Sequence, residues 1–470
     1  MKLAAAALLL LPLLTVPATP ALEWTPCATQ PEPTARCAHV DVPIDRARPE
    51  AGTARLALAE LPATDPAHRI GSLLINPGGP GGSGVGYVQF GGFAGPEFAQ
   101  LRQHFDLVGF DPRGVWFSTP KITCDPAKLY DPAVNRYPAT KAEYDALRAH
   151  NRAAGEDCLA KTGPMLGQAD TQSAAEDVES IRVALGEPKI SWLGVSYGTE
   201  LGAVYASKHP DRVRAMVLDG AVDHARPLRQ AIVEEAAATE DSLVRFASWC
   251  GGSPDCALHG ADVLRYYDDL VARGAYSSAL GRTATGDELS SGVYGYLVQR
   301  SQWPDLGRAL AAAGGDHPDA AALTQAASFF SPIYGAYRAI GCQDFPSPFT
   351  GPVDLRVTAG LVRAVAPHSW RYSEFWDFTS GCAGWPVPAK NPPQPHPVHG
   401  APPILVVGGT HDPATPLAWA RGLAGGIDGS VLLTRTDDGH TGLANSSCAR
   451  AEEVKYLVSG ITPARGKVCS

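Results

Sequence analysis

Six short apolar runs, each ending at a glycine-rich or acidic turn, constrain the fold of this chain more than any other feature. They occupy residues 70–75, 105–110, 189–195, 213–218, 404–407 and 431–433. Apolar runs without polar alternation are typical of strands buried on both faces. Helical patterns lie between them, for instance at 171–185 and 199–208. The sequence therefore predicts a mostly parallel sheet flanked by helices, with the polar turns at its carboxyl edge, where such sheets bind ligands.

The middle of the chain has a different pattern. From about residue 223 to 397, alanine-rich helical stretches such as 228–247 and 261–272 are mixed with aromatic and proline-rich turns, without a clear buried strand. A chain of 470 residues also exceeds the size at which one hydrophobic core usually stops growing. We expect a core in two parts, 22–222 and 398–470, interrupted by a mainly helical lid insertion at 223–397.

The amino terminus has the composition of an export signal. Met1 and Lys2 precede an apolar stretch at 3–14, which small residues and prolines follow through Ala21. The apolar stretch is short and interrupted by proline, which favours a cleaved signal peptide over a membrane anchor. We predict a signal peptide at 1–21, a secreted protein, and no membrane association after cleavage.

Ten cysteines, an even number, fit an oxidising compartment. They form sequence-local couples, interpreted as five structural disulfides, although the sequence alone does not fix which cysteines pair. The couples are Cys27 and Cys37, Cys124 and Cys158, Cys250 and Cys256, Cys342 and Cys382, and Cys448 and Cys469. The sequence has no CxxC pair or His/Cys cluster, so we expect no metal site. A formal net charge of -9 without a long basic run argues against nucleic acid as a partner.

Residues 194–198 read Gly-Val-Ser-Tyr-Gly and fit the G-x-S-x-G pattern of a nucleophilic serine. Glycine is needed on either side because the serine lies on a tight strand-to-helix turn where larger side chains would clash. Here an apolar strand pattern precedes the turn and a helical pattern follows it. We therefore predict that Ser196 is a catalytic nucleophile rather than an ordinary turn serine.

A serine nucleophile needs an adjacent base, and His440 has a suitable position just after the last predicted strand. Asp412 follows the strand at 404–407 and is predicted to orient the imidazole, with Asp219, also after a strand, as the alternative acid. The chain order Ser, Asp, His is that of the α/β-hydrolase fold. We predict that fold and this triad.

The tetrahedral intermediate of such a reaction needs backbone donors for its oxyanion. One is predicted to be the amide of Tyr197, immediately after the nucleophile. The other is expected in the glycine-rich turn at 76–82, at Gly78 or Gly79, since glycine lets the backbone approach a substrate carbonyl. A phosphate-binding loop is the alternative, but the turn lacks both the Gly-Lys-Ser/Thr ending and the Rossmann glycine order.

At these motifs the chain resembles the secreted tripeptidyl aminopeptidases of actinobacteria and, more distantly, the prolyl iminopeptidases. The matching segments are 77–84, 111–114, 194–202, 342–344, 409–416 and 439–441. The resemblance implies release of short peptides, tripeptides included, or of single residues from a free amino terminus. Prolyl iminopeptidases typically have histidine where this chain has Pro77, so a preference for proline is not implied.

An exopeptidase of this kind must recognise the substrate's ammonium group, and a carboxylate suits that task. Glu200, four residues after the nucleophile, and Asp344, beside Cys342, are the candidates. The alternatives are a solvated helix face for Glu200 and a turn-capping acid for Asp344. Arg113 is predicted to support the loop beneath the site.

The predicted reaction is acyl transfer to Ser196 followed by hydrolysis, on peptides with a free amino terminus and without a cofactor. The same triad would serve a secreted carboxylesterase or lipase, since the fold does not decide the substrate. A catalytically silent binding protein on a hydrolase scaffold is the remaining alternative, against which the complete set of motifs argues.

Overall fold

A ten-stranded sheet runs through the computed structural model of the chain, which describes residues 22–28, 34–90 and 96–470. The predicted signal peptide at 1–21 lies outside the described residues. The strand order is β1-β2-β3-β5-β4-β6-β7-β10-β11-β12, with antiparallel pairing from β1 to β5 and parallel pairing in the rest. The strands are β1 (Thr25–Pro26), β2 (Arg36–Pro43), β3 (Thr53–Leu61), β4 (Gly71–Asn76), β5 (Phe105–Phe110), β6 (Ile190–Val195), β7 (Val213–Asp219), β8 (Ala275–Ser277), β9 (Arg282–Ala284), β10 (Leu405–His411), β11 (Val431–Asp438) and β12 (Val468–Cys469).

The six apolar runs of the sequence form the centre of this sheet, as β4 to β7, β10 and β11. Strand β4 is buried along its whole length, and β6 and β7 are buried except for one partly exposed residue each. Helices pack on both faces, where apolar side chains of the strands join two separate core clusters. This mostly parallel, helix-flanked sheet confirms the predicted α/β-hydrolase fold.

Helices connect the strands and fill the long stretch between β7 and β10. Those among the sheet strands are α1 (Gly84–Gln89), α2 (Pro96–His104), α3 (Pro126–Leu129), α4 (Lys141–Thr162), α5 (Thr171–Ala184) and α6 (Tyr197–Lys208), and after β10 come α15 (Leu417–Gly425), α16 (Gly442–Asn445) and α17 (Ser447–Ser459). Between β7 and β10 lie α7 (Leu228–Gly252), α8 (Val263–Arg273), α9 (Gly286–Leu297), α10 (Trp303–Gly314), α11 (Ala321–Ala326), α12 (Tyr334–Asp344), α13 (Pro352–Val365) and α14 (Glu374–Gly381). None of the helices in the described part of the chain has the length and apolar character needed to cross a bilayer.

Three groups of strands were not among the predicted ones, one of them being β12, which pairs parallel to β11 at the far edge of the sheet. Strands β1 to β3 extend the sheet by antiparallel pairing at its amino-terminal edge. The short hairpin of β8 and β9 forms a separate two-stranded sheet within the helical middle region. Each of its strands has three residues, which is too short to leave a recognisable pattern in the sequence.

All ten cysteines are joined in the five sequence-local couples predicted, and no free cysteine remains among the described residues. The Cys342–Cys382 disulfide joins the end of α12 to the residue that follows α14. It therefore connects two neighbouring helices of the region between β7 and β10.

Arg113, in the turn after β5, is buried with its ion-pair partner. It donates two hydrogen bonds to Asp177 of α5, at 2.7 and 2.6 Å, and one to the carbonyl of Ile44 at 2.8 Å. These contacts hold the turn against α5.

Candidate active site

Ser196 lies between the end of β6 and the start of α6, on a sharply bent turn. Its backbone has φ 56° and ψ -126°, a left-handed conformation that side chains other than glycine rarely adopt. Its N–H donates to the carbonyl of Asp219 at the end of β7, at 2.8 Å. Such local strain persists only where the surrounding structure enforces it, and it is concentrated at functional sites.

The glycines on both sides of Ser196 are required by close backbone packing. A Cβ on Gly194 would lie 2.2 Å from the carbonyl oxygen of Gly198, and one on Gly198 would lie 2.5 Å from the carbonyl oxygen of Asn76. Real Cβ atoms do not approach other atoms so closely. The G-x-S-x-G pattern is thus explained by the contact between the elbow and the end of β4.

His440 and Asp412 are brought together by the loops that follow β11 and β10. The Nδ1 atom of His440 lies 2.9 Å from Oδ1 and 3.0 Å from Oδ2 of Asp412. Asp412 is fully buried and also accepts hydrogen bonds from the amides of Ala414 and Thr415, at 3.0 and 2.9 Å, and from Arg435 at 3.2 Å. The carboxylate is therefore held in one orientation against the imidazole.

The electrostatics of this pair favour its ionised form. Burial by itself raises the pKa of Asp412, but the nearby charge of His440, their hydrogen bond and Arg435 lower that pKa below its usual range. Burial lowers the pKa of His440, whereas Asp412 raises it, and the net pKa is above the usual histidine value. Asp412 thus stabilises an imidazolium, the species that a general base becomes after it takes a proton.

Asp219, the alternative acid, has different partners. Its carboxylate is fully buried and accepts from the amides of Gly442 and Leu443, both at 2.8 Å, at the start of α16. The residue after it, Gly220, comes so close to the imidazole that a Cβ there would lie 2.8 Å from Cε1 of His440. Asp219 therefore supports the loop that carries His440, and Asp412 is the acid bonded to the ring.

Ser196 and His440 line one cavity of about 450 Å³, a size typical of small-ligand sites. The Nε2 atom of His440 is buried and has no hydrogen-bond partner among the described residues. The other lining residues are mostly apolar or aromatic: Pro77, Gly79, Tyr87, Phe98, Val195, Tyr294, Val298, Gln299, Glu374, Ala414, Thr441, Leu443 and Ala444. A serine, an imidazole nitrogen available for a proton, and an apolar cavity suit acyl transfer.

The glycine-rich turn after β4 lies directly against the elbow. A Cβ on Gly78 would lie 2.4 Å from the carbonyl oxygen of Val195, and the amide of Gly78 already donates to Oδ1 of Asn76 at 3.0 Å. Gly79, with φ 113°, lines the cavity of Ser196. Tyr197 is the first residue of α6, so its amide has no acceptor within the helix. Of the predicted oxyanion donors, Gly79 and Tyr197 have the more suitable placement.

Glu200 and Asp344 lie together, away from the lining of the Ser196 cavity. Asn391 donates to both carboxylates, at 3.3 Å to Glu200 and 2.9 Å to Asp344. Asp344 also accepts from the amide and hydroxyl of Thr171 at 3.1 and 2.7 Å, and Glu200 lies 3.3 Å from Nε2 of His224. Burial raises the pKa of both acids, to about 7 for Asp344.

The hydroxyl of Tyr197 connects this pair to the elbow. It forms a short hydrogen bond with the hydroxyl of Thr171 and lies 3.4 Å from Oδ2 of Asp344. Asp344, predicted as a substrate ligand, thus lies behind the elbow and contacts the side chain of Tyr197, the residue after the nucleophile.

Glu374, which was not among the predicted site residues, is a carboxylate in the cavity of Ser196 and His440. It is the first residue of α14, where Glu235 of α7 accepts from the amides of Glu374 and Phe375 at 3.0 and 2.7 Å. Burial raises the pKa of Glu374 to about 7, although the charge of His440 lowers it. One signal could have indicated it: an acid inside the aromatic segment 372–378, which reads Tyr-Ser-Glu-Phe-Trp-Asp-Phe.

The amino-acid sequence of this chain is similar to one family model and to several known proteins. Residues 368–469 match the family model described as TAP-like protein. Serine protease Hip1 of Mycobacterium tuberculosis is 34% identical over 95% of this chain and 91% of its own length. The tripeptidyl aminopeptidase of Streptomyces lividans is 33% identical, covering 96% and 86%, and Carboxylesterase B of M. tuberculosis is 34% identical, covering 96% and 90%.

Proposed function

The chain belongs to the tripeptidyl aminopeptidase family of α/β-hydrolases and is a serine hydrolase, and from that premise we propose that it is a secreted exopeptidase that releases short peptides from a free amino terminus. The observation that carries the proposal is the carboxylate of Glu374 in the same cavity as Ser196 and His440. A partly buried carboxylate in a mostly apolar cavity favours a substrate with a positive charge, such as a terminal ammonium group.

In the proposed mechanism, Ser196 Oγ attacks the scissile carbonyl carbon while Nε2 of His440 takes the hydroxyl proton. The carbonyl oxygen becomes negative and accepts hydrogen bonds from the amides of Tyr197 and Gly79. His440 then gives its proton to the leaving amine as the carbon–nitrogen bond breaks. Water, deprotonated by His440, cleaves the acyl-enzyme and the proton returns to Ser196.

Asp412 contributes by holding Nδ1 of His440, which leaves Nε2 free to take a proton. Because Asp412 raises the pKa of His440, the imidazolium formed during the attack is stabilised. The base must nevertheless be neutral before each attack. We expect activity to increase as the pH rises through the pKa of His440.

Glu374 is the proposed ligand of the substrate's ammonium group. Glu235 holds the backbone at the start of α14, so we expect the carboxylate of Glu374 to lie at a fixed distance from Ser196 along the cavity. The number of residues that fit between the two groups would then decide the length of the product. The name of the Streptomyces relative supports three residues.

Export is part of the proposal. The five disulfides fit an oxidising compartment outside the cytoplasm, and the amino-terminal residues have the pattern of a signal peptide. Sequencing the amino terminus of the protein recovered from culture medium would test this point. A mature terminus near residue 22 is the expected result.

The activity is tested with one peptide carrying a free amino terminus and with its acetylated twin, with products identified by mass. We expect cleavage of the free peptide only, with a uniform fragment of three residues, and no cleavage by S196A. Equal cleavage of both peptides would contradict an ammonium site. Cleavage of neither, with rapid hydrolysis of a simple ester, would identify a carboxylesterase, the activity named for the mycobacterial relative.

A further inference from the structure

A second cavity of about 540 Å³ borders the glycine-rich turn at Gly81. One wall is the segment from Trp116 to Pro132, and the opposite wall is the segment from Phe329 to Ala336. It therefore lies between the part of the chain that follows β5 and the helical region between β7 and β10.

The lining of this second cavity is aromatic and aliphatic, with two cations. Tyr130 is stacked on Phe329 with ring centroids 4.2 Å apart, and Phe330 is 38% exposed. The ammonium group of Lys121 lies 5.0 Å from the centre of the Trp116 ring, whereas Arg282 is paired with the buried carboxylate of Glu288 at 2.6 Å. No aspartate or glutamate is among the lining residues that the structure describes.

Trp116 has a strained backbone, with φ 40°, in the region that favours glycine. A bulky residue in this conformation is strained and is typical of sites where function fixes a side chain. The strained residue holds an indole ring at this cavity, beside Lys121.

The second cavity and the catalytic cavity are separated by a single turn. Gly79 lines the catalytic cavity and Gly81 lines the second one. Two residues span at most about 7 Å of extended chain. A peptide bound with its scissile carbonyl near Gly79 therefore needs only about two further residues to reach the second cavity.

We propose that the second cavity binds the part of the substrate on the carboxyl side of the scissile bond, and that it selects short leaving peptides with an apolar side chain and a free carboxylate. The inference rests on the proposed function. Its support is the opposite charge of the two cavities: Glu374 in one suits the ammonium end of a peptide, and Lys121 in the other suits the carboxylate end. The aromatic lining suits the apolar side chain between them.

The test compares substrates that share one amino-terminal tripeptide and differ in the leaving part. The leaving parts are Gly-Phe and Gly-Gly, each with a free carboxylate or an amide, and ammonia alone from the tripeptide amide. We expect kcat/KM to be highest for Gly-Phe with a free carboxylate. The tripeptide amide, whose leaving group cannot reach the second cavity, sets the reference.

The variant for this test is K121Q, because Lys121 is exposed and its replacement leaves the packed core intact. We expect the preference for carboxylate over amide to fall about fivefold, the size typical of an exposed ion pair, with the tripeptide amide unaffected. K121R should keep the preference. K128Q is the matched control, since Lys128 is nearby but pairs with Asp157 and does not line the cavity.

Three outcomes would overturn the inference. If the wild-type enzyme cleaves the tripeptide amide and all four peptides equally well, or if K121Q keeps the full carboxylate preference, the second cavity does not bind the leaving part, while the exopeptidase proposal stands. If none of these substrates is cleaved, the exopeptidase proposal fails and this inference fails with it.

Discussion

Two pairs of buried acids lie near the elbow, and they differ in what surrounds them. Glu200 and Asp344 are nine-tenths or more buried, and they are bonded to Asn391, Thr171 and other protein groups. Glu235 accepts a hydrogen bond from the backbone amide of Glu374 at the start of α14, and Glu374 lines the cavity of Ser196. Glu200 of the first pair is close to the nucleophile in sequence, yet it is Glu374 of the second pair that lines the cavity of Ser196.

Proximity in the chain is therefore a weaker guide to a ligand than the cavity that the acid lines. Glu200 keeps one buried oxygen, Oε2, without a hydrogen-bond partner among the described residues, but it does not line the cavity of Ser196. Both oxygens of Asp344 already accept hydrogen bonds from protein donors. In the Glu235–Glu374 pair, the inner acid accepts from the helix amides and the outer acid lines the cavity. The first pair should therefore affect the stability of the elbow, and the second should affect substrate selection.

Neutralising one acid of each pair tests whether the two pairs differ in function. E374Q should lower kcat/KM on a peptide with a free amino terminus about 100-fold, since the ammonium group loses its carboxylate partner. Hydrolysis of an acetylated ester should change little. E200Q is the matched control, and we expect it to affect both substrates to the same degree. A selective loss in E200Q instead would exchange the roles of the two pairs.

A second variant addresses the structural pair. D344N should lower the free energy of unfolding by about 2 kcal/mol, because an amide group would face donors from Thr171 and Asn391. Urea denaturation measures the change, with E374Q expected to be much closer to wild type. A D344N protein as stable as wild type, but selectively poor on free-amine peptides, would contradict the structural role.

The same acid predicts how stability depends on pH. Burial raises the pKa of Asp344 to about 7, so the folded protein keeps a proton that the unfolded chain releases near its usual pKa of about 4. The folded state thus binds more protons between these values. The free energy of unfolding should fall as the pH rises from about 4 to about 7, and D344N should reduce this slope.

The smallest expected effect is a difference between two pH profiles. Because the pKa of Glu374 is raised to about 7, this acid must lose its proton before it binds an ammonium group. Peptide cleavage should therefore fall by up to about tenfold more than ester hydrolysis between pH 7 and 6, since the ester depends on His440 alone. In E374Q the two profiles should coincide. Coincident profiles in the wild-type enzyme would count against Glu374 as the ligand.

Much of the fold could be predicted because its central strands are buried on both faces. The run at 105–110 became β5 (Phe105–Phe110) without a change of bounds. Strand β2 lies near the edge of the sheet and alternates buried with exposed residues, His39 and Asp41 among them. It therefore has no continuous apolar run and was missed.

The site divides in the same way. Ser196, Asp412 and His440 follow strands, and the order of parallel strands places such residues at one edge of the sheet. Glu374 has no motif and reaches the cavity only through the packing of α14 on α7. Asp377 stands in the same aromatic segment but pairs with Arg338, so an acid among aromatic residues does not by itself distinguish a ligand from an ion pair.

The Cys342–Cys382 disulfide has a consequence for the length of the released product. It fastens the end of α14 to α12, while Glu235 fastens its beginning. On the proposed role of Glu374, a helix held at both ends keeps the ammonium site at one distance from Ser196, so the same number of residues would be released from every substrate. We therefore expect relatives that release products of another length to differ in how this helix packs, while the sheet and the Ser, Asp and His residues keep their positions.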